Sequence, residues 1–299
     1  MKIGLIGLGK MGYPLALNMK DHGHEVIAYN RSQDKRDQIE KEGVAVRDSI
    51  EAVVQALDRP RTIWLMVTSG EIVDHLIETL IPLLDHDDLI IDGGNSFYKD
   101  TIRRFELLQS EDIGFVDVGT SGGVSGARYG ACFMAGGEDK YIERINEVLT
   151  DCAVENGYAH VGGPASGHYV KMIHNGIEYG MMQAIGEGFE ILENSPLELN
   201  QEKVAKVWAH GSIIEGLLMN MVVKAFETPE LMSNIQGVVD ASGEGEWTVR
   251  EALDLKLFTP VITTALGMRY KSKDQDKYSE KIVAAMRNAF GGHSIYKKE

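Results

Sequence analysis

Cysteine is nearly absent: Cys132 and Cys152 are the only two in 299 residues. They have no metal-ligand spacing, and so few thiols suit a reducing cytoplasm, which is the expected location. Positive charge is also scarce, with 30 Lys and Arg against 45 Asp and Glu for a formal net charge of −15. That field opposes nucleic acid, which is not expected as a partner. It would equally repel a small anionic substrate, so such a substrate demands a local cluster of cations. No run of eighteen apolar residues occurs, and no membrane span is expected. Met1 to Ile6 passes straight into an apolar strand and then glycines, without a secretory core or cleavage site, so export is not expected either. What is present, 43% hydrophobic and 25% charged residues, is the mix of a globular protein of one large or two ordinary domains.

Up to about residue 160, short apolar runs alternate with amphipathic stretches. Lys2 to Ile6, Glu25 to Tyr29, Thr62 to Val67, Leu89 to Asp92, Phe115 to Val118 and Ala131 to Ala135 read as buried strands. Asp48 to Leu57, Glu71 to Leu84 and Asp139 to Leu149 read as helices. This order predicts an α/β Rossmann-type doubly wound parallel sheet over 1–163. After Val161-Gly162-Gly163-Pro164 the periodicity is helical, which predicts an all-α domain over 164–299 for substrate binding and oligomerisation. Its first helix, Ser166 to Glu193, contains Gly176, Gly180, Gly186 and Gly188. Each glycine costs a helix about 1 kcal/mol relative to alanine. Four of them predict tight packing against other backbones, including those of a second subunit, so a homo-oligomer is expected.

Gly7-Leu8-Gly9-Lys10-Met11-Gly12 completes G-x-G-x-x-G between the first strand and a helix. Glycines there permit a tight turn and close approach of a pyrophosphate to free helix N–H groups, so this segment predicts dinucleotide binding. At the end of the second strand, Asn30-Arg31-Ser32 stands where a carboxylate would bind the ribose of NAD. Asn30 removes that charge and Arg31 adds a cation for a 2′-phosphate, favouring NADP over NAD. The plainer alternative is a solvated Arg31 with Ser32 capping the next helix. Val67, closing the third strand, joins the cofactor set. After the fourth strand, Asn95 and Ser96 are expected to project at the carboxyl edge of the sheet, where ligands collect. Gly119 to Gly126 reads as a second glycine-rich loop, either a cradle for a polar ligand or a flexible surface segment. Between Gly167 and Tyr179, a helix would put Lys171 and Glu178 two turns apart on one face, with His174 and Asn175 between them. That spacing is too long for a simple salt bridge and suits a grip on two ends of one ligand. A solvated polar face is the competing reading. Arg287 and His293 close the last helix, where a cation complements the helix dipole.

These segments resemble the decarboxylating 6-phosphogluconate dehydrogenases, in their short form, along nearly the whole chain. The resemblance rests on Ile91-Asp92-Gly93-Gly94-Asn95-Ser96, Ser121-Gly122-Gly123, Val170 to Tyr179 and Phe290-Gly291-Gly292-His293, in the family order. It implies oxidation of 6-phosphogluconate at C3 and loss of CO2 to give ribulose 5-phosphate and a reduced nicotinamide, without a metal. It implies that Lys171 takes the C3 hydroxyl proton and then polarises the carbonyl, and that Glu178 protonates C1 of the resulting enediol. Lys171 must then be neutral at the first step, below its ordinary pKa of about 10.4. The resemblance also implies that Asn95, Ser121, Gly122, Gly123, His174 and Asn175 hold the sugar acid. Tyr179, Thr248, Arg269, Arg287 and His293 are implied to surround the phosphate, the last two from a neighbouring subunit of a dimer or tetramer. Glu246 departs from the pattern, standing where longer members carry a phosphate-binding lysine. Two other readings compete: a β-hydroxyacid dehydrogenase that does not decarboxylate, and a non-catalytic NADP(H) sensor.

Overall fold

The computed structural model describes residues 1–296, which form two compact units, Met1–Asn175 and Gly176 onward. The strands of the first are β1 (Lys2–Ile6), β2 (Glu25–Tyr29), β3 (Ala45–Val46), β4 (Thr62–Leu65), β5 (Leu89–Asp92), β6 (Gly114–Ser121), β7 (Ala131–Gly137) and β8 (Ala153–Gly162). Helices α1 (Gly12–Asp21), α2 (Gln33–Lys41), α3 (Ile50–Gln55), α4 (Glu71–Leu80), α5 (Tyr98–Ser110), α6 (Gly123–Tyr129) and α7 (Asp139–Cys152) connect them. They build one eight-stranded sheet in the order β3-β2-β1-β4-β5-β6-β7-β8. Every neighbouring pair is parallel except β6 with β7.

Alternate residues of the strands enter two separate cores. Ile3, Leu5, Trp64, Ile91, Val116 and Val118 pack on one face, and Ile6, Ile63, Leu65, Ile90 and Phe115 on the other. Side chains of a strand point to opposite faces in turn, and helices cover both faces, so the strands are apolar throughout. Strand order reverses between β1 and β4, and ligands of such sheets lie beyond the carboxyl ends at that crevice. The segments after β1, β2, β4, β5 and β6 therefore emerge along one edge.

Helix α8 (Ser166–Glu193) starts in the first unit and continues into the second. The second unit adds α9 (Gln201–Trp208), α10 (Leu217–Phe226), α11 (Pro229–Asn234), α12 (Gly243–Asp254), α13 (Pro260–Ser272) and α14 (Tyr278–Gly291). Two α8 glycines have an intrachain reason: a Cβ on Gly176 would lie 2.5 Å from Thr248 Cγ2, and one on Gly180 3.0 Å from Val261 Cγ1. The neighbours are side chains rather than the expected backbones, and nothing lies within 4 Å at Gly186 or Gly188.

The two thiols differ sharply. Cys132 is exposed, whereas burial, with a smaller contribution from Asp151, pushes the Cys152 thiol up to about 12. Since the thiolate is the nucleophile, a native chain is expected to react rapidly with iodoacetamide at Cys132 alone. Peptide mapping checks this, and equal labelling of Cys152 without denaturant would show that α7 does not enclose it.

Candidate active site

The G-x-G-x-x-G segment is a turn into α1. Gly7 has φ +108°, and a Cβ there would lie 2.4 Å from Met66 O. A Cβ on Gly12 would lie 1.9 Å from Gly7 O, so the third glycine seats the helix directly on the turn. Gly9, by contrast, has nothing within 4 Å of its Cβ position, and with Lys10 it is exposed. Met11 gives α1 no side-chain cap, and its first turn holds no acid. Open space over a glycine beside uncapped helix amides fits a pyrophosphate. Leu8 N–H donates to Asn30 Oδ1 over 2.9 Å, tying the glycine turn to the end of β2. Arg31 and Ser32 are exposed, and the Ser32 hydroxyl makes no capping bond to α2. Arg36 braces this corner, its guanidinium donating to the carbonyl of Asn30 and, over 3.2 Å, to that of Arg31. Val67 is half-buried, with its Cγ1 2.8 Å from the Cβ position of Gly7.

After β5 the two polar residues part company. Asn95 is exposed, but Ser96 does not project as expected. Its hydroxyl donates to Asp92 Oδ2 over 2.6 Å and accepts from Arg104 Nη1 over 3.1 Å, leaving it 3% exposed. Asp92 Oδ1 also accepts from Gly94 N–H over 3.1 Å, so a buried carboxylate shapes the turn that presents Asn95.

The second glycine-rich segment is not an extended loop. β6 runs through Ser121, Gly122 turns the chain at φ +103°, and α6 begins at Gly123. Ser121 thus sits at a strand end, and its Oγ lies 3.2 Å from His174 Nε2. His174 Nδ1 lies 3.0 Å from Asn175 Oδ1 and 3.4 Å from Lys171 Nζ. Lys171 is 6% exposed and Asn175 8% exposed. The first unit therefore gathers Lys171, His174, Asn175 and Ser121, four of the expected residues. The first turn of α8 is pressed against the sheet: Cβ atoms on Gly119, Gly136 and Gly167 would lie 2.5 Å from Lys171 Cβ, 2.6 Å from Gly167 N and 2.4 Å from Met134 O.

Residues not singled out from the sequence hold this turn. Asp117, fully buried on β6, accepts from the N–H groups of Ala165 and His168, each over 2.7 Å. Burial raises its carboxyl above the ordinary aspartate value, while His168 and the two amide bonds pull it back. The legible signal was an acid inside the apolar run Phe115 to Val118, since a buried carboxylate persists only with partners.

In the second unit, Tyr179 and Arg269 meet, and Thr248 lies on α12 one turn beyond Gly245, which packs on Tyr179. The Arg269 guanidinium stacks 3.3 Å from the Tyr179 ring centroid. The Tyr179 hydroxyl accepts from Ser242 N–H over 2.9 Å, and a Cβ on Gly245 would lie 2.3 Å from the Tyr179 ring. Thr248 is buried beside Gly176 and donates to Glu244 O over 2.8 Å. Glu246 pairs with Arg250 over 2.6 Å and accepts from Tyr270 Oη over 3.2 Å. Those bonds, Arg250 first, hold its carboxyl below the usual range. Glu178 is half-buried. Arg287 and His293 are exposed and make no side-chain hydrogen bond or ion pair among the described residues. Ile282, Val283, Met286 and Phe290 on the same helix are exposed too.

No helix of the described residues is long and apolar enough to cross a membrane, and no group of three or more His, Cys, Asp or Glu among them could hold a metal.

Residues 2–162 match the NAD binding domain of 6-phosphogluconate dehydrogenase, and residues 167–299 match that enzyme's C-terminal domain. A Bacillus subtilis protein named "Putative 6-phosphogluconate dehydrogenase YqeC" is 48% identical over the full length of both chains. The NAD(+)-dependent, decarboxylating 6-phosphogluconate dehydrogenase of Haloferax volcanii is 37% identical, again over the full length of both. Among solved structures, the 6-phosphogluconate dehydrogenase of Plasmodium falciparum superposes with a TM-score of 0.83 at 32% identity, over 100% of this chain and 66% of that one.

Proposed function

The chain belongs to the 6-phosphogluconate dehydrogenase family, and from that premise we propose that it oxidises 6-phosphogluconate at C3 and releases C1 as CO2, yielding ribulose 5-phosphate. The observation that carries this reading is the buried Lys171 amino group set against His174, with Ser121 and Asn175 on the same imidazole. A bound nicotinamide supplies the hydride acceptor. A neutral Lys171 accepts the C3 hydroxyl proton, and the ammonium so formed donates to the C3 oxygen. Negative charge then develops on that oxygen as the C1–C2 bond breaks, and a positioned cation in a water-poor site stabilises it. His174 suits both states of the lysine. With Nδ1 protonated, it donates toward Asn175 Oδ1 and the neutral amine. With Nδ1 bare and the Asn175 amide turned to present its NH2, it accepts from the ammonium, and Nε2–H donates to Ser121 Oγ.

Glu178 lies seven residues beyond Lys171 on α8, two turns away on the same face. In this reading it delivers a proton to the enediol carbon that was C2 of the substrate and becomes C1 of ribulose 5-phosphate. Glu178→Gln keeps the shape and removes the acid, so overall turnover is expected to fall about 10²-fold or more with substrate still bound. A wild-type rate in steady-state assays would reduce Glu178 to a hydrogen-bonding role. Arg269, stacked on Tyr179, supplies the cation that the acidic chain requires for a phosphate. Glu246 is engaged by Arg250, which offsets its charge. Arg287 and His293 complete it from a second copy. The assembly is a homo-oligomer, dimer or tetramer, whose contact covers the apolar residues of α14.

NADP is the proposed cofactor. Asn30 is committed to the Leu8 amide as a neutral acceptor, and Arg31 is exposed at the same corner. A guanidinium both pairs with a phosphate and stacks on adenine. One charge-assisted bond of about 1.5–3 kcal/mol gives roughly ten- to hundredfold discrimination. Wild type is expected to show that preference in kcat/KM, and Asn30→Asp with Arg31→Val is expected to reverse it. A wild type preferring NAD, unmoved by the double substitution, would refute the assignment.

The function itself is tested by mixing the purified chain with 6-phosphogluconate and either nicotinamide, following absorbance and CO2 together. Reduction with stoichiometric CO2 supports the reading. Reduction without CO2 selects a non-decarboxylating β-hydroxyacid dehydrogenase, and binding without reduction selects a dinucleotide sensor.

A further inference from the structure

We infer that Asp117, acting through the backbone before α8 and through His168, is the positioning residue that sets where Lys171 stands; this rests on Lys171 being the base. Both Asp117 oxygens are spent on the helix entrance, one on Ala165 N–H and one on His168 N–H, each over 2.7 Å. The first amides of a helix have no intrahelical acceptor, and a carboxylate there is favoured by both hydrogen bonding and the helix dipole. Nothing in the local sequence supplies that cap, because the Ser166 hydroxyl donates to Gly163 O instead. The cap is thus carried by the sheet, and it binds the helix to β6.

The backbone at this point is strained. Ala165 is 4% exposed and sits at φ +72°, a left-handed conformation that costs a non-glycine residue about 1–2 kcal/mol. Such a conformation persists only where the surroundings over-determine it, and it marks places where geometry matters. Asp117 holds Ala165 there. Gly119, Gly136 and Gly167 let the first turns of α8 rest closely on β6 and β7, since a Cβ at any of the three would collide with the facing segment.

The same device reaches a second functional segment. His168 Nδ1 lies 2.8 Å from Thr101 Oγ1 and 4.0 Å from Asp117 Oδ2. The Thr101 hydroxyl, which also lies 3.3 Å from Phe97 O, thus holds the His168 ring against α5. Thr101 lies on α5, and one turn later Arg104 grips Ser96 and Asp92, the residues that shape the turn bearing Asn95. Helix α5 is thus tied at Thr101 to His168 in the Lys171 turn and at Arg104 to the residues that shape the turn bearing Asn95, so one helix braces both segments.

The test compares Thr101→Val, Asp117→Asn and Lys171→Met in the full chain, with kcat, substrate KM, cofactor affinity and melting temperature for each. Thr101→Val keeps the shape and removes the hydroxyl that meets His168, together with its local bond to Phe97 O. Asp117→Asn sets an amide donor against a backbone donor. A misplacement of about 1 Å can cost 10²-fold in rate, so kcat is expected to fall about tenfold or more in both, with cofactor affinity within twofold of wild type. The double variant is expected to be less impaired than the product of the single losses, since both act through His168. If Asp117→Asn does not fold, Thr101→Val alone decides. Turnover within twofold of wild type in the folded variants, with Lys171→Met inactive, overturns the positioning role and leaves the base assignment standing. Parallel losses of kcat and cofactor affinity overturn it as well, because they mark general damage. An active Lys171→Met overturns the base assignment and this inference with it.

Discussion

Lys171→Met is expected to lower the rate of substrate oxidation by about 10²–10⁴-fold, the usual worth of a positioned proton acceptor. Methionine preserves the length of the side chain and its packing where Cβ and Cγ of Lys171 cross Gly119. Only the amino group, and with it the contact to His174 Nδ1, is removed. Cofactor affinity is expected to stay within twofold, because the glycine turn after β1 belongs to a different segment of the first unit. Single-turnover kinetics with saturating cofactor make the comparison, and retention of more than about a tenth of wild-type rate would remove Lys171 from the role of base.

Gly12→Ala attacks the other end of the reaction. Its methyl group would stand 1.9 Å from Gly7 O, a backbone atom that cannot yield without opening the turn. Displacing α1 takes away the amides proposed to bind the pyrophosphate. Loss of two charge-assisted bonds of about 1.5–3 kcal/mol each weakens binding about 10²–10⁴-fold. Fluorescence titration with reduced nicotinamide checks this, beside circular dichroism to show that the sheet survives. Affinity within threefold of wild type in a folded variant would mean that the dinucleotide does not use this turn.

Much of the scaffold was written in local pattern. β1, β2, β5 and the whole of α8 begin and end where apolar runs and helical periodicity put them. β3, only Ala45–Val46, is too short to carry a period, and β8 is a largely exposed edge strand without a buried face to declare it. The reversal of β7 has a simple cause that a strand-and-helix reading passes over. The connection Gly122–Gly130 is shorter than the dozen or so residues that a parallel crossover requires, so the chain turns back instead.

The candidate site divides along the same line. Lys171, His174 and Asn175 are neighbours in sequence, so helical spacing alone gathers them. Asp117, Thr101 and His168 come together from β6, α5 and α8, and their meeting depends on tertiary packing that no local window contains. Ser96 shows the converse. Its position after a strand made it a candidate for ligand contact, yet Asp92 and Arg104 turn it inward. At Gly119 to Gly126 the glycines read as lining a loop, whereas the segment is a strand end, a turn and the start of α6. Here Gly119 is a site of close approach and Gly122 a single left-handed turn residue.

The bare contact between α8 and the sheet bears on how this protein can adapt. At Gly119, Gly136 and Gly167 a Cβ would lie 2.5, 2.6 and 2.4 Å from atoms of the facing segment, so the contact has no room for a further carbon. Any substitution at these three positions adds atoms, so it can only drive the helix outward and never draw it in. At these three positions the location of the Lys171 amine is thus a one-sided limit, with each substitution leading away from it. Adaptation to a differently sized ligand is then expected to come from other residues around it.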